Sequence, residues 1–218
     1  MRAVLFDMDG VLIDSEPFYE KTEAEILTER GVTLDEETRA MVVGTQMGKL
    51  WQVMIARFGL TETCDALVAE EKKRYRAHLL NGDILIMPGA SELVDAVQGA
   101  GLRTAIVSSS WQYEIETVMD RYGFRTAMDT FVSGEDVAEG KPNPAPYLLA
   151  AERLGVTPEN CLVIEDSAAG VQSAKAAGMR CIALKRPDAQ VQDVSRADAV
   201  VPSLEDNLIE VITTLLNQ

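Results

Sequence analysis

The stretch AVLFDMDG, residues 3–10, places an apolar run directly before Asp7. Two later apolar runs end in the same way, residues 105–107 at Ser108 and residues 162–164 at two adjacent acidic residues. Short apolar runs bounded by polar residues are typical of buried strands in a parallel sheet. The carboxyl ends of parallel strands share one edge, and open α/β sheets bind their ligands outside that edge. We therefore expect these polar residues to meet there.

The pattern after residue 82 alternates between helix and strand. The expected elements, in order, are helix 89–98, strand 103–107, helix 112–122, strand 130–132, helix 145–154, strand 161–164, helix 168–177, strand 181–184, strand 199–201 and helix 204–216. Alternation of this kind is typical of a doubly wound, mainly parallel α/β sheet. We expect the first strand of the chain to belong to the same sheet.

Residues 15–82, by contrast, show almost only helical periodicity. Apolar residues recur there at spacings of three and four, at Leu50, Val53, Met54 and Phe58. Polar turn residues at positions 14–15 and 81–83 suit hinges between two domains. We predict an α/β core formed by residues 1–14 and 83–218, with residues 15–82 inserted as a smaller all-α domain.

Composition excludes a disordered chain and several classes of partner. The 218 residues are 47% hydrophobic and 25% charged, close to the average of soluble globular proteins. The formal net charge of −15 argues against binding nucleic acid or an anionic membrane surface, because either needs a basic surface. The cysteines Cys64, Cys161 and Cys181 lack the paired spacing of metal ligands, which argues against a zinc site and a disulfide.

Two features bear on the compartment. No apolar stretch approaches the roughly 20 residues that a membrane-spanning helix needs. The first strand begins directly after Met1-Arg2, which leaves no room for a signal peptide. We therefore expect a cytoplasmic protein, and we expect it to be a monomer.

Asp7 and Asp9 lie at the end of the first strand. An aspartate there can attack phosphorus and form an aspartyl-phosphate, provided that a cation offsets the repulsion between the two anions. Asp9, two residues further on, can protonate the leaving-group oxygen as a general acid. Gly10 allows the backbone to turn sharply after them. The single histidine, His78, falls in the helical insertion, so a carboxyl group is the best candidate for the acid.

The serine run Ser108-Ser109-Ser110 follows the strand predicted at residues 103–107. Hydroxyls and backbone N–H groups at a helix entrance can hold phosphate oxygens. Ser108 and Ser109 are therefore candidate phosphate ligands. The alternative is that a serine only caps the helix that starts near residue 112.

Lys141 lies in a loop between Gly140 and Pro142. Glycine permits a tight turn and proline restricts the backbone, so together they can aim the lysine side chain. Its ammonium can then neutralise charge on Asp7 and on a phosphoryl group. Lys141 is the third candidate phosphate ligand.

Glu165 and Asp166 follow the apolar run at residues 162–164. Two adjacent acids at the end of a buried strand are costly unless they are paired or metal-bound. Hard oxygen ligands completed by water and substrate phosphate are typical of a Mg²⁺ site. We expect Asp7, Asp166 and the backbone carbonyl of Asp9 to bind Mg²⁺, with Glu165 coordinating directly or through a water.

Together these segments resemble the haloacid dehalogenase superfamily. The matching positions are Asp7, Asp9, Gly10, Ser108, Lys141, Pro142, Glu165 and Asp166. Two longer runs, FDMDGVLIDSEP at residues 6–17 and KPNPAPY at residues 141–147, are similar to its β-phosphoglucomutase-like branch. The resemblance spans the core from end to end. It implies a Rossmann-like core and makes the helical insertion a cap that closes over the substrate.

The resemblance also implies a role for each residue. Asp7 is the nucleophile, Asp9 the acid and base, Ser108 and Lys141 bind phosphate, and the closing acids hold Mg²⁺. The second aspartate distinguishes phosphatases of this family from its dehalogenases, which lack it. We therefore expect a phosphatase for a small phosphorylated metabolite, and by family analogy a sugar phosphate.

Two other functions remain open on the sequence. A sugar-phosphate mutase would use the same core and differ mainly in the cap. Relatives that are mutases present a His soon after the Asp-Ser/Thr turn and an Arg in a cap loop, whereas this chain has Tyr19 near the first position and no Arg at residues 43–48. A receiver-like signalling domain also gathers an aspartate, acidic ligands and a lysine on a doubly wound sheet, but it has no use for a long cap or for Asp9.

Overall fold

The computed structural model describes residues 1–35, 38, 47–185, 192–205 and 208–217. The backbone divides into two compact units. One consists of Met1–Asp14 and Leu85–Gln218, and the other of Ser15–Ile84. We call the first the α/β unit and the second the helical unit.

Within the described residues, the α/β unit contains a six-stranded sheet and a two-stranded ribbon. In chain order the strands are β1 (Ala3–Phe6), β2 (Ile13–Asp14), β3 (Leu85–Ile86), β4 (Arg103–Val107), β5 (Thr130–Val132), β6 (Cys161–Glu165), β7 (Arg180–Leu184) and β8 (Ala199–Val201). The large sheet has the order β5-β4-β1-β6-β7-β8, and its neighbouring strands all pair in parallel. The predicted doubly wound, mainly parallel α/β fold is confirmed.

The described α-helices follow the predicted order. They are α1 (Glu16–Glu29), α2 (Met47–Phe58), α3 (Cys64–Asn81), α4 (Ala90–Gly99), α5 (Gln112–Arg121), α6 (Ala145–Leu154), α7 (Ala168–Ala176) and α8 (Leu208–Leu216). The described part of the last helix is Leu208–Leu216, and Leu204 and Glu205, which were predicted to belong to it, lie outside it. In the part of the chain that the structure describes, no helix is both long and apolar enough to cross a membrane.

The register of the central strand positions its polar end. All four residues of β1 are fully buried, because strands flank it on both sides and helices cover its faces. Phe6 pairs with Ile106 on β4 and with Ile164 on β6. Asp7, the next residue, donates its N–H to the carbonyl oxygen of Ile164 at 2.9 Å. Asp7 therefore lies at the carboxyl edge of the sheet, between β4 and β6.

Helix α6 is anchored in the apolar layer on one face of this sheet. Tyr147 and Ala150 of α6 are buried in one cluster with Leu5 of β1 and Val163 of β6. Helix α6 follows directly after the loop that carries Lys141. The packing of α6 therefore fixes where that loop meets the sheet edge.

The ribbon of β2 and β3 was not predicted. Ile13 pairs with Ile86 in antiparallel register, and the Met87 N–H donates to the carbonyl oxygen of Leu12 at 2.9 Å. A two-residue strand is too short to show alternating periodicity. The ribbon joins the two segments at which the chain leaves and re-enters the α/β unit.

The helical unit has its own apolar core. Ile26, Trp51 and Leu67 are buried together with other side chains from the three helices that the structure describes in this unit. Thr63 caps the start of helix α3, because its hydroxyl accepts the Ala66 N–H at 3.2 Å. Gly82 caps the end of the helix, and its φ of +80° is the left-handed conformation that glycine adopts at low cost.

Candidate active site

Lys141 and Asp7 form a buried ion pair at the carboxyl end of β1. The Lys141 Nζ lies 2.5 Å from Asp7 Oδ1, 2.7 Å from Glu165 Oε1 and 3.0 Å from the carbonyl oxygen of Val107. These three acceptors match the three N–H donors of an ammonium group. The Lys141 side chain is only 7% exposed, so water competes little for it. Lys141 thus forms hydrogen bonds to the carboxyl ends of three strands, β1, β4 and β6.

The carboxylate of Glu165 is completely buried and saturated with hydrogen bonds. Its Oε1 accepts from Lys141 Nζ at 2.7 Å and from the Tyr147 hydroxyl at 3.0 Å. Its Oε2 accepts from the N–H groups of Asp166 and Ser167, at 3.0 and 2.9 Å, and from the Ser167 hydroxyl at 2.9 Å. A carboxylate offers about four lone-pair sites, and these donors occupy all of them.

Two glycines allow the acids to approach the backbone closely. A Cβ added to Gly10 would lie 2.0 Å from Asp166 Oδ2, and Gly10 also has a φ of +77°. A Cβ added to Gly170 would lie 1.6 Å from Glu165 Oε1. A side chain at either position would therefore displace a carboxylate. Gly170 was not among the predicted site residues.

Ser110 contacts Asp9 and was missed by the sequence-based prediction. Its hydroxyl lies 3.2 Å from Asp9 Oδ2. The prediction named Ser108 and Ser109, yet the side chain of Ser109 is exposed. Ser108 is buried, and its Oγ accepts the Ser110 N–H at 3.0 Å. All three serines follow one strand, and only the turn they adopt decides which hydroxyl contacts Asp9.

The alternative in which a serine caps the following helix is wrong. Helix α5 starts at Gln112, and Trp111 is the residue before its first turn. The Glu114 carboxylate accepts the Trp111 N–H at 2.8 Å. The carboxylate of Glu114 therefore satisfies a donor at the helix start, and the Ser108 hydroxyl is used within its own turn.

Burial is the largest influence on the pKa values of these groups. It raises the pKa of Asp7 to about 7, with repulsion from Glu165 and Asp9 adding to it and Lys141 opposing it. Burial and repulsion from Glu165 and Asp7 also raise the pKa of Asp166 well above its usual range. At Glu165 the nearby ammonium and its hydrogen bonds outweigh burial and lower the pKa. Two carboxylates likewise outweigh burial at Lys141 and raise its pKa.

The same acids fit a divalent cation. Asp7, Glu165 and Asp166 each bring a carboxylate oxygen within 4.8 Å of the others. These are hard oxygen donors, and burial, followed by repulsion between the carboxylates, raises the pKa values of Asp7 and Asp166, a cost that a bound cation would reduce. By distance the three acids are equally suited to bind the ion, but they differ in how many protein donors already occupy their oxygens. Because Glu165 is saturated, Asp7 and Asp166 are the better direct ligands.

His78 and Tyr19, which were both predicted to lie in the helical insertion, each contact another side chain of the helical unit. His78 Nδ1 lies 2.9 Å from Asp83 Oδ2. The Tyr19 ring stacks on Tyr75 with the ring centroids 4.3 Å apart. Residues 43–46, part of the loop 43–48 that was compared with the arginine position of mutases, lie outside the described residues.

Comparison with known proteins agrees with this geometry. Residues 1–178 match the family model of haloacid dehalogenase-like hydrolases. The chain is 34% identical over 185 residues to the phosphorylated carbohydrates phosphatase of Thermotoga maritima, which covers 84% of each chain. It is 31% identical over 189 residues to hexitol phosphatase B of Escherichia coli, covering 86% of this chain and 85% of the relative.

A solved structure extends the comparison to the fold. The crystal structure of CbbY from Rhodobacter sphaeroides in complex with phosphate is similar, with a TM-score of 0.75 and 28% identity. The match covers 94% of this chain and 96% of that chain. The matched family model spans β1 to α7 and so includes every candidate site residue. The chain therefore belongs to the haloacid dehalogenase-like hydrolase family, and it is an enzyme of the phosphatase type.

Proposed function

We propose that this chain is a Mg²⁺-dependent phosphatase that hydrolyses a small sugar phosphate through an aspartyl-phosphate intermediate. The observation that carries the proposal is the buried Lys141 ammonium, held between Asp7 and Glu165 at the carboxyl edge of the sheet. The names of the two curated relatives, which specify phosphorylated carbohydrates and hexitols, support the substrate class. We further propose that the helical unit is the cap.

The first chemical step is attack by Asp7. A carboxylate oxygen of Asp7 forms a bond to phosphorus while the bond from phosphorus to the leaving oxygen breaks. Lys141 already donates to Asp7 Oδ1, so its position is compatible with neutralising charge on the reacting phosphoryl group. Bound Mg²⁺, held by Asp7, Asp166 and the backbone carbonyl of Asp9, would reduce the repulsion between the two anions.

Asp9 handles the proton in both steps. It gives a proton to the leaving oxygen, and afterwards takes one from the water that attacks the phosphorylated Asp7. Inorganic phosphate leaves and the Asp7 carboxylate is restored. The contact between Asp9 and the Ser110 hydroxyl supports this role, because it restrains the direction of the carboxyl group.

The size of the barrier argues for a cluster of this kind. Hydrolysis of a phosphate monoester needs an acceleration of up to ~10²¹, or about 29 kcal/mol. General acid catalysis contributes ~10² to 10⁴. The remainder must come from the covalent step, from Mg²⁺ and Lys141, and from exclusion of water.

The decisive experiment is a screen of phosphorylated carbohydrates that measures released phosphate with and without Mg²⁺. The proposal expects many equivalents of phosphate per protein, and loss of release after chelation. A receiver-like domain would release about one equivalent. Release that continues unchanged in a chelator would reject the metal-dependent mechanism.

A mutase remains the rival within the same family. It must clamp a second phosphate while the sugar reorients, and a guanidinium is the group best suited to do so. Residues 43–48 contain no Arg, so we expect water to win the competition for the aspartyl-phosphate. The test supplies β-glucose 1-phosphate with a trace of the bisphosphate and follows free phosphate and glucose 6-phosphate. Isomerisation faster than phosphate release would reject the phosphatase proposal.

A further inference from the structure

Tyr147 is a buried polar residue to which the mechanism above gives no step. It lies in the first turn of α6, and its side chain is completely buried. Its hydroxyl donates to Glu165 Oε1 at 3.0 Å. Lys141 Nζ lies 5.0 Å from the centroid of its ring. Tyr147 therefore contacts both members of the Glu165–Lys141 pair.

The Tyr147 hydroxyl can serve as a permanent donor at neutral pH, because the ordinary pKa of a phenol is about 10. Its acceptor is an ionised carboxylate, and hydrogen bonds to charged acceptors are roughly twice as strong as neutral ones. A buried partner of this kind is costly to lose, because the acceptor would then lack one donor.

In this structure the ammonium of Lys141 is fully hydrogen-bonded, and the donor that now meets Asp7 is the one that a phosphoryl group on Asp7 would receive. Its three N–H donors meet Asp7, Glu165 and the Val107 carbonyl, and the ring of Tyr147 lies within cation–π distance. One of these acceptors, Glu165 Oε1, is in turn oriented by the Tyr147 hydroxyl. A shift of the Glu165 carboxylate would therefore move the ammonium.

We propose that Tyr147 is a positioning residue that holds Lys141 where it can bind a phosphoryl group, acting through Glu165 Oε1. The inference rests on the proposed function, since it assumes that Lys141 contacts phosphate. Hydrogen-bond partners of metal-binding residues typically contribute 10- to 100-fold in metal affinity or activity, and we take the same range for the partner of Glu165. We expect a value near the lower end, because the other Glu165 donors remain.

The test compares Tyr147→Phe with Tyr113→Phe. The Tyr113 hydroxyl also donates to a glutamate, Glu114 Oε1 at 2.8 Å, so the control loses the same type of hydrogen bond elsewhere. We expect Tyr147→Phe to lower kcat/KM and to weaken binding of inorganic phosphate, each about tenfold. We expect Tyr113→Phe to change both by less than twofold. Unchanged phosphate affinity in folded Tyr147→Phe would overturn the inference.

A double-mutant cycle separates positioning from general support of the fold. Phosphate affinity is measured by calorimetry for the native protein, Tyr147→Phe, Lys141→Met and the double variant. If Tyr147 acts through Lys141, its substitution weakens binding about tenfold in the native background and has no further effect beside Lys141→Met. An equal factor in both backgrounds would reject the inference. If Lys141→Met does not fold, the comparison with Tyr113→Phe decides alone.

The outcomes also distinguish this inference from the function on which it rests. If the native protein binds phosphate but hydrolyses no sugar phosphate, the proposed function fails while the cycle still tests Tyr147. If the native protein hydrolyses substrate and Tyr147→Phe matches it in kcat/KM and phosphate affinity, the function stands and the inference fails.

Discussion

Glu165 in the α/β unit and Glu71 in the helical unit are both buried, and the two groups behave in opposite ways. Glu165 in the α/β unit is fully buried, yet the Lys141 ammonium and several hydrogen bonds lower its pKa. Glu71 in the helical unit is 1% exposed, and burial raises its pKa to about 7. Burial alone therefore does not decide whether a carboxyl group is ionised.

The difference lies in the partners. Glu165 receives an ammonium, two backbone N–H groups and two hydroxyls. Glu71 receives the Trp51 indole N–H at 2.5 Å and shares a hydrogen bond with the carboxyl group of Glu23. Burial raises the pKa of Glu71, and the hydrogen bonds from Trp51 and Glu23 and the charge of Lys72 lower it without outweighing burial. The α/β unit stabilises buried charge, and the helical unit avoids it.

The cations of the two units differ in the same way. Lys141 is almost fully buried between carboxylates. Arg74 on α3 bonds to Glu29 and Glu70, and its side chain is 24% exposed. Exposed pairs of this type contribute little to stability because water and salt screen them. We therefore expect substitutions of these charged residues in the α/β unit to alter catalytic activity, and those in the helical unit to alter the free energy of unfolding.

The largest expected effect is on Asp7. Asp7→Asn should abolish phosphate release and leave the fold intact, because an amide has the same shape but is neither a nucleophile nor an anionic ligand. Circular dichroism and thermal unfolding verify the fold, and a phosphate-release assay measures turnover. Normal turnover by the folded variant would break the proposed link between this cluster and catalysis.

The second largest effect is expected for Asp9→Asn, which should lower kcat by ~10² to 10⁴ for alcohol leaving groups. Asp9→Asn cannot supply the proton that an alkoxide needs, whereas a leaving group of low pKa departs without one. The measurement compares a sugar phosphate with an aryl phosphate of acidic phenol. Equal losses for both substrates would remove Asp9 from the role of general acid.

The two acids at the end of β6 should differ in their effect on the metal. Asp166→Asn should weaken Mg²⁺ affinity about 100-fold, and Glu165→Gln about tenfold, because the oxygens of Glu165 are already occupied by protein donors. Titration of activity with Mg²⁺ gives both affinities. Equal effects would place both acids in direct contact with the ion.

Glu71 provides the test in the helical unit. Its pKa in the folded protein, about 7, lies above the unfolded value of 4.5, so the folded state binds more protons between these pH values. The contribution of Glu71 to the free energy of unfolding is fully present below pH 4.5, and it is lost as the pH rises through 7 and the buried carboxyl group ionises. Glu71→Gln should therefore exceed the native protein in stability by about 3 kcal/mol at pH 8 and match it near pH 4.5. Urea unfolding at both pH values measures this difference, and a constant difference would contradict it.

The smallest effect is expected at Arg74. Arg74→Ala removes ion pairs to Glu29 and Glu70 that are partly exposed. The urea midpoint should fall by less than it rises for Glu71→Gln at pH 8, and the loss should shrink as salt increases. A large loss that is independent of salt would show that this network behaves like the buried pair of Lys141.

Much of the fold could be predicted from sequence because its signals are local. Apolar runs and helical spacing identified the strands and helices of the α/β unit, with most ends within a residue or two. The ribbon of β2 and β3 could not be predicted, since each strand has two residues and pairs with one far along the chain. The start of the last helix was also misplaced, because Leu204 and Glu205 lie outside α8.

The sequence by itself determined the family and the parallel sheet, since motif order and periodicity are properties of the chain alone. It also singled out Asp7, Lys141 and Asp166, which follow strands or lie in a restricted loop and therefore carry a local signal. Only the tertiary structure decided that the Ser110 hydroxyl contacts Asp9 and that Glu165 is saturated. The contact between Ser110 and Asp9, and those of Lys141 and Tyr147 with Glu165, join segments that are distant in sequence to within a hydrogen-bond length, and no local pattern encodes that distance.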